Sequence, residues 1–267
     1  MKKQFRAVIC VLCLSLLPAL SGCRTGNTSK YHVVARLSEQ KLAIAFRAGD
    51  TACDAVTNAL AVLEDRGDVS RLSRDWFDDD LSRLRGDEGA LDDWDREASA
   101  RVFIVGYDAA HLPFSGVEDA LPTGFDVELA RAVCQELGWT ARFIAVDVSN
   151  ALVELKSGNV DCVWGALALP ESPPPELSFS PVYMNNTLVV ATLLGSGISG
   201  KNTLGGKTLA VSESGLFYFA LSSDSSITSA PDYIVVLPGG VDDCFTALDA
   251  GEVDAIVTDL AGIEYHS

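Results

Sequence analysis

The chain has 267 residues, 48% of them hydrophobic and 21% charged, which is enough apolar material for one sizeable two-lobed domain or two small ones. Its formal net charge is −17. A surface of that sign repels phosphate backbones and anionic membranes, which argues against nucleic acid as a partner. The histidines at 32, 111 and 266 and the seven cysteines show no metal-ligand spacing, so no metal or other cofactor is expected.

The first segment reads as an export signal. Lys2, Lys3 and Arg6 precede an uncharged apolar run from Ala7 to Leu20, and small residues follow up to Cys23. That run is too short for an ordinary membrane span. Residues 1–22 hold those three cations and no acid, so their removal takes the net charge from −17 to −20. Leu20-Ser21-Gly22-Cys23 looks like a bacterial lipobox, in which the cysteine thiol takes a diacylglycerol group and becomes the new N-terminus. A plain signal peptide and an uncleaved anchor are the alternatives, and all three place the body of the protein outside the cytoplasm. Residues 23–30 then serve as a tether. Cys53, Cys134, Cys162 and Cys244 remain in the body. An exported compartment permits disulfides, yet each of these sits in an apolar pattern where cysteine packs as a small hydrophobe.

In chain order, LAIAFRAGD (42–50) predicts a strand and turn, and residues 52–66 a helix with Ala55, Ala59, Val62 and Leu63 on one side. A short second helix runs to Asp75, before Trp76 and Phe77. Residues 78–100 hold nine acids, a composition that reads as a solvated linker. From Arg101 onward short β-rich runs alternate with helical patterns, the signature of βαβ units and parallel sheets. RVFIVG (101–106) is a strand, 124–137 an amphipathic helix, and ARFIAV (141–146) a strand. Helix 149–157 stops at Gly158, and VDCVWGAL follows as a strand. Pro170 and Pro173 to Pro175 make a stiff loop, and SPVYMNNTLVVATL an extended crossing segment. A second series follows: strand KTLAV, a helix from about Gly215, strand YIVVL, helix 241–250, strand VDAIV and a last short helix.

From Arg101 to the end, the order of motifs resembles the amino-acid-type periplasmic binding proteins, the family 3 solute-binding proteins of ABC transporters. The pieces that carry the resemblance are VGYDAAHLPF, LPTGFDVELARAVCQELGW, LVELKSGNVD, FSPVYMNNTLVV, GGKTLAVSESG and ALDAGEVDAIVTD. The segment LAIAFRAGDTACDAVTNALAVLEDRGDVSRLSRDWF resembles the part that closes such proteins at their C-terminus. The resemblance therefore implies a circular permutant of the two-lobed α/β type II binding-protein fold, with a fusion of two partial domains as the competing view. On the permuted reading, residues 31–77 are the transposed segment, 78–100 joins the family's usual ends, 101–185 forms lobe 1, and 186–267 forms hinge and lobe 2. Two extended crossings, near 39–42 and 186–191, join the lobes around a ligand cleft.

The resemblance also implies where a ligand sits. In this family a carboxylate after the lobe 2 strand meets the ligand's ammonium, which places Asp259 there; the same residue begins the last helix and suits an N-cap. Asp108, His111 and Phe114 follow the first lobe 1 strand. For His111, cleft lining and surface exposure both stay open, while Phe114 reads as core more than as ligand contact. The relatives grip the ligand carboxylate with hydroxyls and an arginine. Laid on this chain, that stretch falls on Ala166, Ala168, Pro170 and Pro173, or on Ser172 with a one-residue gap, and neither placement holds a cation. Backbone N–H groups at Ser214-Gly215 remain as an anion site.

The expected function is capture of a small polar solute, amino-acid-like or an amine, for ABC permease subunits. The protein is expected to be monomeric, lipid-anchored at Cys23 and facing the periplasm or exterior. No paired carboxylates, Ser-His arrangement or metal cluster marks a reaction centre, so an enzyme is not expected. The alternative is a lipoprotein that kept the fold, lost amino-acid binding and acts as a sensory or interaction partner.

Overall fold

The computed structural model describes residues 29–213 and 215–267. The export signal, Cys23 and Ser214 lie outside the described residues.

The chain opens with a 12-residue strand, β1 (Tyr31–Leu42), and after two buried residues enters β2 (Ala45–Arg47). α1 (Ala52–Asp65) buries Ala52, Ala55, Val56, Ala59, Leu60 and Leu63, the three- and four-residue spacing of one helix face. Gly67 turns the chain in the left-handed conformation (φ 75°) into α2 (Asp68–Phe77). β3 (Val102–Tyr107) leads into a small antiparallel sheet of β4 (Ala110–His111), β5 (Ser115–Glu118) and β6 (Leu121–Thr123). At Gly124 (φ 109°) a Cβ would lie 2.5 Å from the carbonyl oxygen of Phe114, so only glycine lets the chain pass. α3 (Phe125–Leu137) begins there with Asp126 and Glu128 in its first turn and ends on left-handed Gly138. Then come β7 (Thr140–Ala145), α4 (Ala151–Ser157), β8 (Cys162–Val163), β9 (Leu177–Phe179) and the long β10 (Met184–Leu193). β11 (Thr208–Ser212), α5 (Gly215–Ser222), α6 (Ser225–Thr228), β12 (Tyr233–Leu237), α7 (Val241–Asp249), β13 (Ala255–Asp259) and α8 (Leu260–Tyr265) complete it.

Besides that small sheet, the described strands form two five-stranded sheets, each at the centre of one lobe. Lobe 1 carries the order β7-β3-β8-β2-β9, with β3 parallel to β7 and β8, and β2 antiparallel to β8 and β9. Lobe 2 carries β1-β10-β13-β11-β12, parallel among β13, β11 and β12 and antiparallel at β10 and β1. Each lobe has its own apolar core. One gathers Phe46, Leu60, Phe103, Phe125, Trp164 and Tyr183; the other gathers Val190, Val211, Phe217, Phe245, Ile256 and Val257. Each such side chain contributes roughly 1.5–3 kcal/mol when fully buried, so either core is a substantial stabilising unit.

The lobes are joined where β1 runs into β2 and where β9 runs into β10. The two crossings hold each other: the Ile44 N–H donates to Ser180 Oγ at 3.0 Å, and the Tyr183 N–H to the Leu42 carbonyl at 3.0 Å. They therefore fall a few residues from the expected 39–42 and 186–191. Residues 186–191 are instead ladder residues of lobe 2, with Leu188 to Ala191 paired to β13.

Residues 78–100 are mostly exposed, as a solvated linker would be, but they are held against lobe 1. Leu81, Leu84, Leu91 and Trp94 pack against the lobe 1 core, and Trp94 Nε1 donates to the Leu137 carbonyl at 3.1 Å. The apolar residues recur often enough to hold the segment down while its acids face water. Of the remaining expectations, the strand over VDCVWGAL shrinks to Cys162–Val163, because Ala166 takes a positive φ of 51° that breaks an extended run.

Candidate functional site

Among the described residues, the lobes meet at a buried polar contact. His111, at the end of β4 in lobe 1, places Nε2 2.7 Å from Oδ2 of Asp259, the last residue of β13 in lobe 2. Both side chains are 1% exposed. The imidazole is packed edge-on against Phe114 (5.3 Å between ring centres) and Phe217 (5.0 Å), one from each lobe. Asp259 also caps α8, its Oδ1 accepting from the Gly262 N–H at 2.6 Å. Asp259 thus performs the cap with one oxygen and gives the other to His111, so neither oxygen is open to the cleft. Burial by itself pulls the His111 pKa down; the hydrogen bond to Asp259 and the charges of Asp259, Asp108 and Asp126 outweigh it, leaving the imidazole above its ordinary value. With the imidazole protonated the contact is a closed ion pair, and its disruption from one side strands a buried charge.

Behind His111 lies a second buried acid. Asp126 Oδ2 accepts from the Ala166 N–H at 2.6 Å and from the Tyr183 hydroxyl at 3.0 Å. Burial pushes its carboxyl up to about 7, against the opposing pull of those two donors and the His111 charge. Among the described residues its other oxygen has no hydrogen-bond partner, nor do His111 Nδ1 and Ser115 Oγ. The strained Ala166 backbone is held by this acid, which explains how a non-glycine residue keeps a positive φ beside the cleft.

The larger cavity between the lobes holds about 1010 Å³. Its walls are β1, the 166–170 turn and helices α5 and α6, with Leu37, Leu167, Leu169, Leu216, Tyr218 and Phe219 supplying most of the apolar surface. A smaller one of about 450 Å³ is lined by Asp108, Asp147, Glu213 and Gly240 among others. Neither lining includes His111 or Asp259. Gly240 fits against lobe 1 only because it lacks a side chain: a Cβ there would lie 2.1 Å from the Ala110 carbonyl oxygen.

Ala166 and Ala168 line the larger cavity and Asp108 the smaller one, where its Oδ1 accepts from the Ala110 N–H at 2.9 Å. His111 is buried at the lobe contact, not exposed, and Phe114 is fully buried in the lobe 1 core. Ser172 is exposed on the proline loop and lines neither cavity. Ser214 lies outside the described residues, and Gly215 is the first residue of α5. Sequence reasoning missed Gln40, Asp126, Tyr218, Phe219 and Gly240. The uninterrupted apolar run Leu216 to Leu221 was the available signal for α5, since a helix apolar all round must cover something on each side.

Residues 103–223, from β3 through α5, match the bacterial extracellular solute-binding proteins, family 3. The arginine-binding extracellular protein ArtP of Bacillus subtilis (strain 168) is 30% identical over 115 residues, which is 43% of this chain and 45% of ArtP. The ABC transporter glutamine-binding protein GlnH of the same strain is 29% identical over 143 residues, 52% of this chain and 50% of GlnH. The chain spans about half the length of these relatives. A substrate-binding protein of an ABC uptake transporter from Streptococcus pneumoniae, solved with bound histidine, aligns with a TM-score of 0.52 at 20% identity, over 64% of this chain and 70% of that one. An ancestral arginine-binding protein bound to arginine aligns with a TM-score of 0.51 at 25% identity, over 60% and 70%. The fold is that of the type II periplasmic amino-acid-binding proteins.

Proposed function

We propose that this chain, whose residues 103–223 belong to the family 3 bacterial extracellular solute-binding proteins, captures a small solute between its lobes and presents it to the permease of an ABC importer. The observation that carries the reading is the architecture itself: two α/β lobes with separate cores, two adjacent crossings, and a cleft of about 1010 Å³ between them. Two crossings side by side form a hinge, and hinge closure around a solute gives a permease a shape to distinguish loaded from empty. The names of the relatives, arginine- and glutamine-binding, make amino acids and amines the first class to test.

Two finer elements belong to the same reading. The chain is a lipoprotein held at the membrane through Cys23 and facing the periplasm or exterior. Its segment order is a circular permutation of the family's. Support for the permutation comes from β2, α1 and α2 lying in lobe 1 with β3 and α3, while Ser29 and Ser267 meet on lobe 2 with their hydroxyls 2.8 Å apart. A ligand that binds only the folded form raises its melting temperature, so a thermal-shift panel of amino acids, amines and uncharged solutes tests solute capture. A flat response to every member refutes it and leaves the lipoprotein that lost its ligand.

A further inference from the structure

Resting on the solute-capture reading, we propose that the larger interlobe cavity takes an uncharged, largely apolar molecule bearing a hydrogen-bond donor, and not a free amino acid. A zwitterion or an amine needs a buried counter-charge on the protein, because desolvating an unpaired charge costs far more than a cleft of this kind returns. The buried carboxylate at the lobe contact, Asp259, already has its cation in His111 at 2.7 Å, and the pair is shut away from the cleft. The carboxylate in the wall of the larger cavity, Asp224, is spent on capping α6, accepting from the Ser226 and Ile227 N–H groups at 2.9 and 3.3 Å. Among the described residues, no lysine, arginine or histidine lines that cavity to hold a carboxylate.

What the cleft does offer is apolar surface. Tyr218 and Phe219 on α5 are 50% and 73% exposed and stand in its wall, opposite Leu167 and Leu169. Aromatic groups left open to water beside a large concave surface mark a place where an apolar partner binds. Among the described residues a polar group there lacks a partner: Gln40, 9% exposed and in the same wall, keeps Oε1 buried and unbonded. An acceptor in that state is satisfied by a donor on the bound molecule.

The test uses N-phenyl-1-naphthylamine, an uncharged aromatic probe with one N–H, in fluorescence titration, alongside thermal-shift titrations with L-arginine, L-glutamine and L-histidine. The full protein is expected to bind the probe saturably and to give no shift with the amino acids. Phe219→Ser, which alters an exposed side chain and leaves both cores intact, should weaken the probe about tenfold. His111→Ala vacates the cation's place beside Asp259, so methylammonium should raise the melting temperature of that variant and leave the wild type unmoved. Saturable amino-acid binding that ignores the probe overturns this inference and preserves solute capture. Probe binding indifferent to Phe219→Ser also overturns it, by placing the probe elsewhere. No binding in any arm by a folded protein overturns both.

Discussion

The buried acid behind the lobe contact makes stability fall as pH rises through neutrality. The Asp126 carboxyl stands at about 7 in the native protein against 3.8 unperturbed, because burial disfavours its ionised form. The native state therefore binds more protons than the unfolded one over this range, and stability held at low pH is lost as pH climbs through about 7. Between pH 6 and 8 the unfolded carboxyl is ionised throughout, while the native one passes from roughly nine-tenths to one-tenth protonated; integrated, this is a loss of about 1.4 kcal/mol. His111 acts with the same sign: its folded value is raised above 6.5, so its contribution is complete below 6.5 and lost as pH rises through the folded value. Urea unfolding at fixed pH across 6 to 8 measures the sum. Asp126→Asn keeps an oxygen to accept from Ala166 and Tyr183 and removes the ionisation, so its stability should fall by about 1.4 kcal/mol less than that of the wild type over the same span. A wild-type stability that is flat or rising from pH 6 to 8, or a parallel decline in wild type and Asp126→Asn, refutes the reasoning.

Removing one partner of the lobe contact tests the ion pair directly: His111→Ala should cost about 3–5 kcal/mol in urea unfolding, since Asp259 is then buried without a cation. Gly240→Ala sets a methyl group 2.1 Å from the Ala110 carbonyl, so the lobes should open and the radius of gyration in small-angle scattering should rise while each core stays folded; an unchanged radius would contradict the contact. Cys134 and Cys244, whose thiols burial pushes up to about 12, and the fully buried Cys162 should resist a thiol reagent in native buffer and react on unfolding. For the lipid anchor, Cys23→Ser should move the protein from the membrane to the soluble fraction, and unchanged fractionation would dismiss acylation.

The strongly periodic elements were legible in the sequence to within a residue or two. α1 and α3 announce themselves by apolar spacing, and the glycines at 138 and 158 mark the ends of α3 and α4. The three-stranded sheet of β4, β5 and β6 was not legible, because strands of two to four residues leave no period to count. β9 hid behind the proline loop, and the packing of 78–100 hid behind its acids, although Leu81, Leu84, Leu91 and Trp94 stood in plain view. At the site, Asp259 could be located from its strand end. Its pairing with His111 could not, since the two are 148 positions apart and meet only when the lobes do. Asp126 stands in the first turn of α3, where nothing in the sequence separates it from a surface acid, and only tertiary burial gives it a different chemistry.

The course of the chain also orders events during synthesis. Lobe 1 is drawn from one uninterrupted stretch between the crossings, whereas lobe 2 takes its edge strand β1 from before that stretch and its other strands from after it. On a ribosome adding roughly 5–20 residues per second, β1 emerges several seconds or more before β10, and lobe 1 has all its strands just before β10 follows. Through that interval β1 has no ladder partner, and its pairing from Leu42↔Met184 to Tyr31↔Leu193 must wait for about 140 further residues. An unpaired 12-residue strand ahead of an already folded lobe is open to pairing with the wrong chain. The charges along it, Arg36, Glu39 and Lys41, supply the protection an exposed edge needs while it waits.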